Sequence, residues 1–167
     1  FGVPAAIGGC IASDKKRTVC VDGDGGFIMN VQELETVKRL NLPIKYFVLN
    51  NGGYASIRNS QSKHFDKEVA SGNNSGVTLP DIKKIANSYG IKYFKFNHND
   101  IVNNVEAILN CDGPSICEVV MLHTHESLPR NSTHKREDGT FVSLPMEDLL
   151  PLLPRDEFEE NMSVGND

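Results

Sequence analysis

The chain has 167 residues, of which 39% are hydrophobic, and a formal net charge of −5 at pH 7. This length fits one domain with a substantial core. The acidic balance and the scattered Lys and Arg argue against a nucleic-acid surface, which needs a basic face. No apolar tract is long enough to span a bilayer, so we expect neither nucleic acid nor membrane as a partner.

The first third of the chain predicts helix, strand, helix and strand in turn. The small residues of Ala5–Ala12 indicate a tightly packed helix. Thr18–Asp22 and Lys45–Leu49 are short apolar runs typical of buried strands. Between them, apolar residues from Phe27 to Val37 recur at helical spacing. The opening FGVPAAIGG resembles the interior of a longer sequence, so we expect the chain to be a domain of a larger protein.

The next segments continue the alternation after a polar interruption. Ser60–Thr78 is rich in polar residues and glycine and predicts a long loop of the kind that often binds ligands or covers a site. Ile82–Tyr89 and Ile101–Leu109 show helical spacing, and Ile91–Phe96 and Ser115–Leu122 read as strands. Strands that alternate with helices predict an α/β fold with a parallel sheet covered on both sides.

The pattern weakens from Thr124 onward, where four prolines interrupt the chain. We therefore expect a domain over residues 1–125 and a tail over residues 126–167, with one or two short helices that pack on the domain. The four cysteines, at positions 10, 20, 111 and 117, form no CxxC pair. Cys20 and Cys117 lie in apolar runs, where a reduced cysteine behaves as a small hydrophobe. Since no secretory signal is visible, we expect a cytoplasmic protein.

Two polar clusters follow neighbouring predicted strands. Gly23-Asp24-Gly25 comes after the first strand, and Asn50-Asn51 comes after the second. Ligands collect at the carboxyl ends of parallel strands, and the segment between the clusters exceeds the roughly 10–12 residues that a crossover needs. The carboxylate of Asp24 and the amide oxygen of Asn51 are hard ligands that suit Mg²⁺ or Ca²⁺, and an ion with so few protein ligands shares its shell with phosphate.

The glycines around Asp24 suit the same ligand. Gly23, Gly25 and Gly26 allow a close backbone approach and positive φ. A helix that begins near Phe27 presents free N–H groups to an anion. The pattern therefore favours a diphosphate bound through a divalent cation. A dinucleotide-binding fingerprint fits poorly, because Ile28 stands where a third glycine is needed.

These motifs resemble the diphosphate-binding signature of thiamine diphosphate enzymes. The segment VDGDGGFIMNVQELETVKRLNLPIKYFVLNNGGY is similar to the C-terminal cofactor domain of acetolactate synthase large subunits. The likeness extends from Phe1 to about Tyr54 and more loosely to Met121. It implies a three-layer α/β/α sandwich with a mainly parallel, doubly wound sheet, and thiamine diphosphate and Mg²⁺ as cofactors.

The resemblance also implies roles for individual residues. The metal ligands would be Asp24, Asn51 and the backbone carbonyl of Gly53. Asn50 would be a structural turn residue, and Ala55–Phe65 would begin a mobile segment that closes the active site. The residues implied to contact the cofactor are Gly23, Asp24, Gly25, Gly26, Phe27, Asn51, Gly53 and Tyr54.

The implied activity is decarboxylation of a 2-oxo acid followed by carboligation. In relatives, the activating glutamate lies on a pyrimidine-binding domain, usually from a second subunit, so we expect a homodimer or homotetramer and no catalysis by this chain alone. The tail is longer than in acetolactate synthases, which keeps open a decarboxylase or lyase that acts on another substrate, such as a sugar precursor. A non-catalytic α/β interaction domain is the alternative from another class.

Other polar residues are weaker candidates for a functional role. We favour structural roles for His123 and His125, because no further ligand joins them at metal-binding spacing. His64 lies in the implied mobile segment and is a candidate substrate contact. Arg58 and Arg130 are candidates to bind a substrate carboxylate or an acidic sugar, although exposed arginines seldom have so specific a role.

Overall fold

The structure is a computed structural model that describes residues 1–123 and 128–163. The chain divides into two compact units, Phe1–His125 and Glu126–Asp167. No helix within the described residues is long and apolar enough to cross a membrane. The packing of the tail on the domain stays a prediction, so each unit is described by itself.

The first unit alternates strands with helices, as the sequence predicts. Its four strands are β1 (Thr18–Gly23), β2 (Ile44–Asn50), β3 (Lys92–Asn97) and β4 (Ser115–Val120). Its helices are α1 (Gly2–Ala12), α2 (Asp24–Ile28), α3 (Leu34–Arg39), α4 (Ala55–Phe65), α5 (Ile82–Ser88) and α6 (Ile101–Asn110).

The four strands form one parallel sheet in the order β1-β2-β4-β3. The register pairs Gly23 with Leu49, and Asn50 with Val120, so the strands end at a common edge. This edge carries both polar clusters, because Gly23-Asp24-Gly25 spans the end of β1 and Asn50-Asn51 spans the end of β2.

Helices cover both faces of the sheet. Helices α1, α2, α3 and α5 bury one face around Tyr46 and Val48, while α6 covers the other through Ile108, which packs with Phe47. The predicted three-layer α/β/α sandwich is confirmed. Cys20 and Cys117 are buried and unpaired in this core, and burial raises the pKa of Cys117 to about 11, so both behave as small hydrophobes.

The helix predicted from Phe27 to Val37 is wrong as a single element. The chain forms α2, then a 3-10 turn at Val31–Glu33, then α3. The break falls at Met29 and Asn30, where Met29 is exposed and Asn30 leaves helical geometry with φ −130 and ψ 30. The apolar period survives this break because the residues on either side of it point into the same core.

The loop predicted over Ser60–Thr78 is also wrong in its first part, because α4 continues to Phe65. This helix lacks an apolar stripe. Ile57 and Phe65 are exposed, and the side chain that it buries is Arg58. Because the residue that α4 buries is charged, the sequence of this helix shows no helical repeat of apolar residues. The remainder is irregular except for a 3-10 turn at Asn73–Ser75.

The second unit contains a hairpin and a helix. Strands β5 (Thr133–Lys135) and β6 (Phe141–Ser143) pair antiparallel, and helix α7 spans Arg155–Ser163. The hairpin is absent from the sequence predictions, because its strands are three residues long and Phe141 and Val142 remain exposed.

Candidate functional site

Asp24 lies at the edge where the strands of the parallel sheet end. It is the first residue of α2, directly after β1, and is only 2% exposed. Its Oδ2 accepts hydrogen bonds from the backbone N–H groups of Gly52 and Gly53, each at 2.9 Å. Its Oδ1 accepts a third from Gly25 at 2.9 Å. Because bonds to a carboxylate are strong, Asp24 connects the end of β1 to the loop that follows β2.

The electrostatic environment of Asp24 favours a nearby cation. Burial raises the pKa of this carboxyl group, while the three backbone N–H groups and the charge of Arg58 act in the opposite direction. Burial penalises the ionised form. The hydrogen bonds of the protein compensate the buried negative charge of Asp24 only in part. A cation bound at the carboxylate would therefore be stabilised by that charge.

Asn51 offers a second oxygen directly after β2, at the edge of the sheet that carries Asp24. Its side-chain Oδ1 is buried and has no hydrogen-bond partner among residues 1–123 and 128–163. Buried polar atoms of this kind nearly always have a partner. An unpartnered amide oxygen, one residue before the loop that holds Asp24, is suited to coordinate a hard cation.

Gly52 and Gly53 have a backbone geometry that favours glycine. Their φ angles are +79 and +141. A Cβ at Gly53 would lie 2.3 Å from the backbone oxygen of Ser71. Gly53 also pairs with Gly72 in an isolated bridge, and the Tyr54 N–H donates to Ser71 O at 2.8 Å. The segment around Ser71 therefore also holds the loop that Asp24 binds.

The expectation of positive φ at Gly23, Gly25 and Gly26 is wrong, because positive-φ glycines lie elsewhere in the described chain. A Cβ at Gly25 would lie 2.5 Å from the Tyr54 ring, and one at Gly26 would lie 2.4 Å from an Asp22 carboxylate oxygen. Close packing within the protein thus explains these two glycines. At Gly23 a Cβ would face open space, so a ligand has room to approach the backbone there.

Phe27 and the helix around it also differ from expectation. The helix begins at Asp24 rather than near Phe27, and it ends at Ile28. The Phe27 side chain is fully buried and meets Tyr46 edge to face, with ring centroids 5.9 Å apart. Its side chain therefore belongs to the core, and only its backbone is available to a cofactor.

Arg58 is buried, which corrects its interpretation as an exposed arginine. It is 3% exposed, and its Nη2 donates to Asn51 O at 3.4 Å and to His123 O at 3.2 Å. Its Nη1 is buried and has no hydrogen-bond partner in the described part of the chain. The guanidinium group links the residues that follow β2 and β4, and its charge partly offsets that of Asp24.

A polar cleft of about 450 Å³ adjoins this edge of the sheet. Asp24, Asn50 and Gly52 line one part of it, and Tyr93, Lys95 and Glu118 line another. Glu118 is 4% exposed and accepts hydrogen bonds from Asn50 Nδ2 at 2.8 Å and from the Tyr93 hydroxyl. Lys95 Nζ lies 3.0 Å from its Oε1. Glu118 is not predicted as a functional residue from the sequence, although a single acid within the apolar run SICEVV is an available signal.

Of the remaining candidates in the first unit, His123 contacts the residues that follow β2. His123 Nδ1 lies 3.3 Å from Asn51 O, whereas His125 falls outside the described residues. His64 is on α4 beside Phe65, and Arg130 pairs with Leu150 in the second unit. No group of three or more His, Cys, Asp or Glu that could hold a metal occurs among the described residues. The edge around Asp24 is therefore the best candidate site.

Comparison with known proteins gives a consistent family. The family described as "Thiamine pyrophosphate enzyme, C-terminal TPP binding domain" matches residues 1–119. The acetolactate synthase isozyme 2 large subunit of Escherichia coli is 38% identical over 123 residues. The acetolactate synthase large subunit of Cyanidium caldarium is 33% identical over 130 residues, and a probable acetolactate synthase large subunit of Methanococcus aeolicus is 35% identical over 119 residues.

These alignments cover most of this chain but a small part of each relative. They include 71% of the chain for the Escherichia coli and Methanococcus aeolicus proteins and 77% for the Cyanidium caldarium protein. The aligned region spans only 20% to 22% of the relatives' own length. Most of each relative therefore has no counterpart in these 167 residues.

Proposed function

We propose that this chain, which belongs to the family of thiamine pyrophosphate enzyme C-terminal TPP-binding domains, binds its cofactor through a Mg²⁺ ion. The cofactor, thiamine pyrophosphate, is called thiamine diphosphate below. Asp24, Asn51 and the Gly53 backbone carbonyl would be the protein ligands. The observation that carries this proposal is the buried, unpartnered Oδ1 of Asn51 next to the loop that holds the Asp24 carboxylate. A carboxylate, an amide oxygen and a carbonyl form the donor set that Mg²⁺ prefers when a phosphate completes its shell.

The residues of this chain would bind and orient the cofactor. Thiamine diphosphate, when bound, supplies the carbanion chemistry of 2-oxo acid decarboxylation. The open space at Gly23 would admit the diphosphate to the backbone of Gly25 and Gly26 at the start of α2. Tyr54, whose ring packs against Gly25, would lie along the cofactor. The dense hydrogen bonding of Asp24 would keep its carboxylate in place whether or not the cation is bound.

The whole protein would be an acetolactate synthase-like enzyme that decarboxylates a 2-oxo acid and joins the product to an acceptor. The names of the aligned relatives support this reaction class. Because the chain spans about a fifth of their length, the activating glutamate would lie on a pyrimidine-binding domain outside it, from a second subunit of a homodimer or homotetramer. The chain alone would show no steady turnover of pyruvate with thiamine diphosphate and Mg²⁺.

One observation supports an alternative substrate. The family match ends at residue 119, and the unit Glu126–Asp167 lies beyond it. An enzyme that uses the same cofactor on another substrate, such as a sugar precursor, would accommodate this additional unit. The two candidates share the site around Asp24 and differ in the substrate that the intact enzyme consumes.

Calorimetric titration of the intact protein with thiamine diphosphate and Mg²⁺ tests the cofactor site. We expect metal-dependent binding by the wild type and its loss in Asp24→Ala. Asp112→Ala is the matched control, because it removes an exposed carboxylate just before β4, at the opposite end of the sheet. Unchanged binding by Asp24→Ala would refute the ligand assignment.

A thermal shift measurement separates the cofactor site from a non-catalytic interaction domain. A ligand that binds only the native state must raise the unfolding temperature. We expect thiamine diphosphate and Mg²⁺ together to raise it in the wild type. If neither the unfolding temperature nor the heat of titration responds, the interaction domain is the correct reading.

A further inference from the structure

We propose that Glu118 is a positioning residue for the Asp24 site and that it acts through the side chain of Asn50 and the backbone of Gly52. This inference rests on the proposed function, since the positioned group is the carboxylate proposed to hold the metal. A sequence of hydrogen bonds connects Glu118 on β4 to Asp24 after β1, across the intervening strand β2.

The first step is the burial of Glu118 between two neighbouring strands. It lies in the middle of β4, opposite Val48 of β2 and Lys95 of β3. A buried carboxylate is costly unless hydrogen bonds and an opposite charge compensate it. Lys95 and Tyr93 of β3 provide these on one side, and Asn50 of β2 donates on the other. Glu118 is therefore fixed in position by donors from both strands.

The second step is the orientation of the Asn50 amide. Its Nδ2 donates to Glu118 Oε1 at 2.8 Å, and its Oδ1 accepts from the Gly52 N–H at 3.1 Å. An ionised carboxylate only accepts hydrogen bonds, and a backbone N–H only donates them. One orientation of the amide therefore satisfies both partners, and the charge on Glu118 selects it.

The third step is the N–H of Gly52, which Asn50 and Asp24 share. This N–H donates to Asn50 Oδ1 at 3.1 Å and to Asp24 Oδ2 at 2.9 Å. Gly52 has φ +79, which glycine adopts readily, so the direction of its N–H is set by the acceptors around it rather than by its own conformational preference. Without Glu118, the Asn50 amide loses its fixed orientation. The Gly52 peptide then loses one of the two acceptors that aim its N–H at Asp24.

Lys45 is a buried charge in the same sheet that has no such connection to Asp24. It is 1% exposed at the start of β2, and its Nζ donates to the backbone carbonyls of Cys111 and Gly113. These bonds connect β2 to the turn before β4 and do not reach Asp24. Lys45→Met therefore removes a buried, hydrogen-bonded charge from the same sheet without affecting the proposed positioning.

The experiment compares Glu118→Ala, Glu118→Gln and Lys45→Met with the wild type in the intact protein. Two quantities are measured: the affinity for thiamine diphosphate and Mg²⁺ by calorimetry, and amide hydrogen exchange at Gly52 and Gly53 without cofactor. We expect Glu118→Ala to weaken binding by about 10-fold, the lower end of the range for lost outer-shell partners of metal ligands, because it acts on Asp24 through Asn50 and Gly52. It should also accelerate exchange at both glycines. Glu118→Gln, which keeps an acceptor for Asn50, should recover part of both losses, and Lys45→Met should change neither.

The results separate this inference from the proposed function. If the wild type binds no thiamine diphosphate, the proposed function fails, and the exchange rates at Gly52 and Gly53 still decide whether Glu118 positions the loop. If the wild type binds and both Glu118 variants match it in affinity and exchange, the positioning role is overturned. Losses in Lys45→Met equal to those in Glu118→Ala would also overturn it, because they would report general destabilisation. Should Glu118→Ala fail to fold, Glu118→Gln and Asn50→Ala decide by the same two measurements.

Discussion

The two ends of β2 each carry buried polar groups, and the groups are satisfied in different ways. At the amino end, the Lys45 ammonium group donates to carbonyls of the turn before β4. At the carboxyl end, Asn51 Oδ1 and Arg58 Nη1 are buried without hydrogen-bond partners among the described residues. Burial of charge is therefore common to both ends. Unpartnered atoms such as the Tyr46 hydroxyl also occur nearer the amino end. What distinguishes the carboxyl end as a site is that its unused bonding capacity lies at the edge that carries the Asp24 carboxylate.

The largest effect is expected from Gly53→Ala, which breaks the loop at the carboxyl end. A φ of +141 suits glycine, and the added methyl would meet the Ser71 backbone oxygen at 2.3 Å. We expect loss of cofactor binding and destabilisation by more than the roughly 1–3 kcal/mol that backbone strain alone costs. Chemical denaturation and calorimetric titration measure the two effects.

Gly76→Ala is the matched control for that substitution. Gly76 also has a positive φ, +97, but a Cβ there would face open space. It should cost roughly 1–3 kcal/mol through backbone strain alone and leave cofactor affinity unchanged. Equal losses in the two variants would show that the contact with Ser71 is unimportant.

Lys45→Met tests the amino end and should have a smaller effect. The substitution removes a buried ammonium group and leaves the carbonyls of Cys111 and Gly113 with one donor fewer. We expect a loss of about 1–3 kcal/mol in the free energy of unfolding, measured by urea denaturation, with unchanged cofactor affinity. A clear fall in affinity would contradict the comparison, because it would show that the two ends of the strand are coupled.

The pH dependence of stability tests how much the ionised carboxylate of Glu118, near the carboxyl end of β2, contributes to the free energy of unfolding. Burial acts to raise the pKa of Glu118, but the hydrogen bonds from Tyr93, Lys95 and Asn50 together hold that pKa below its ordinary value of 4.5. A carboxyl group whose pKa is lowered by folding stabilises the protein above its unfolded pKa, and this contribution disappears as the pH falls through its folded pKa.

We therefore expect the stability difference between wild type and Glu118→Gln to be constant near neutral pH and to shrink once the pH falls below 4.5. Urea denaturation over a pH series measures this difference, and groups common to both proteins cancel. A difference that does not change with pH would mean that the ionised carboxylate contributes nothing.

Local sequence patterns were sufficient to predict most of the fold and the meeting of the two polar clusters. The alternation of apolar runs and helical spacings predicted the parallel sheet, and the positions of Asp24 and Asn51 after successive strands predicted a shared edge. Both inferences depend on properties that neighbouring residues in the chain display. Parallel topology then brings the strand ends together without further information.

The missed features depend on contacts between distant residues. Helix α4 was missed because its buried residue is Arg58, whose partners are the backbone oxygens of Asn51 and His123. The role of Ser71 in fixing Gly53 appears only when the two segments pair. Glu118 was hidden in an apolar run, and its partners on β2 and β3 are distant along the chain. A charged residue in an otherwise buried segment is thus the one local sign of such a network.

The smallest effect is expected from Tyr46→Phe. This substitution tests whether a buried polar atom without a hydrogen-bond partner is by itself sufficient to identify a metal ligand. The Tyr46 hydroxyl, like Asn51 Oδ1, is buried without a hydrogen-bond partner in the described residues, and both lie on or directly after β2. Tyr46, however, lies near the amino end of the strand, and its ring packs on Phe27 in the core. Removing the hydroxyl keeps that packing and relieves a desolvation cost, so stability should stay equal or rise by up to about 1 kcal/mol, with unchanged cofactor affinity.

Asn51→Ala should instead weaken Mg²⁺-dependent binding. If Tyr46→Phe weakened binding as Asn51→Ala does, position at the edge that carries Asp24 would not be what separates a ligand from a buried polar atom of the core.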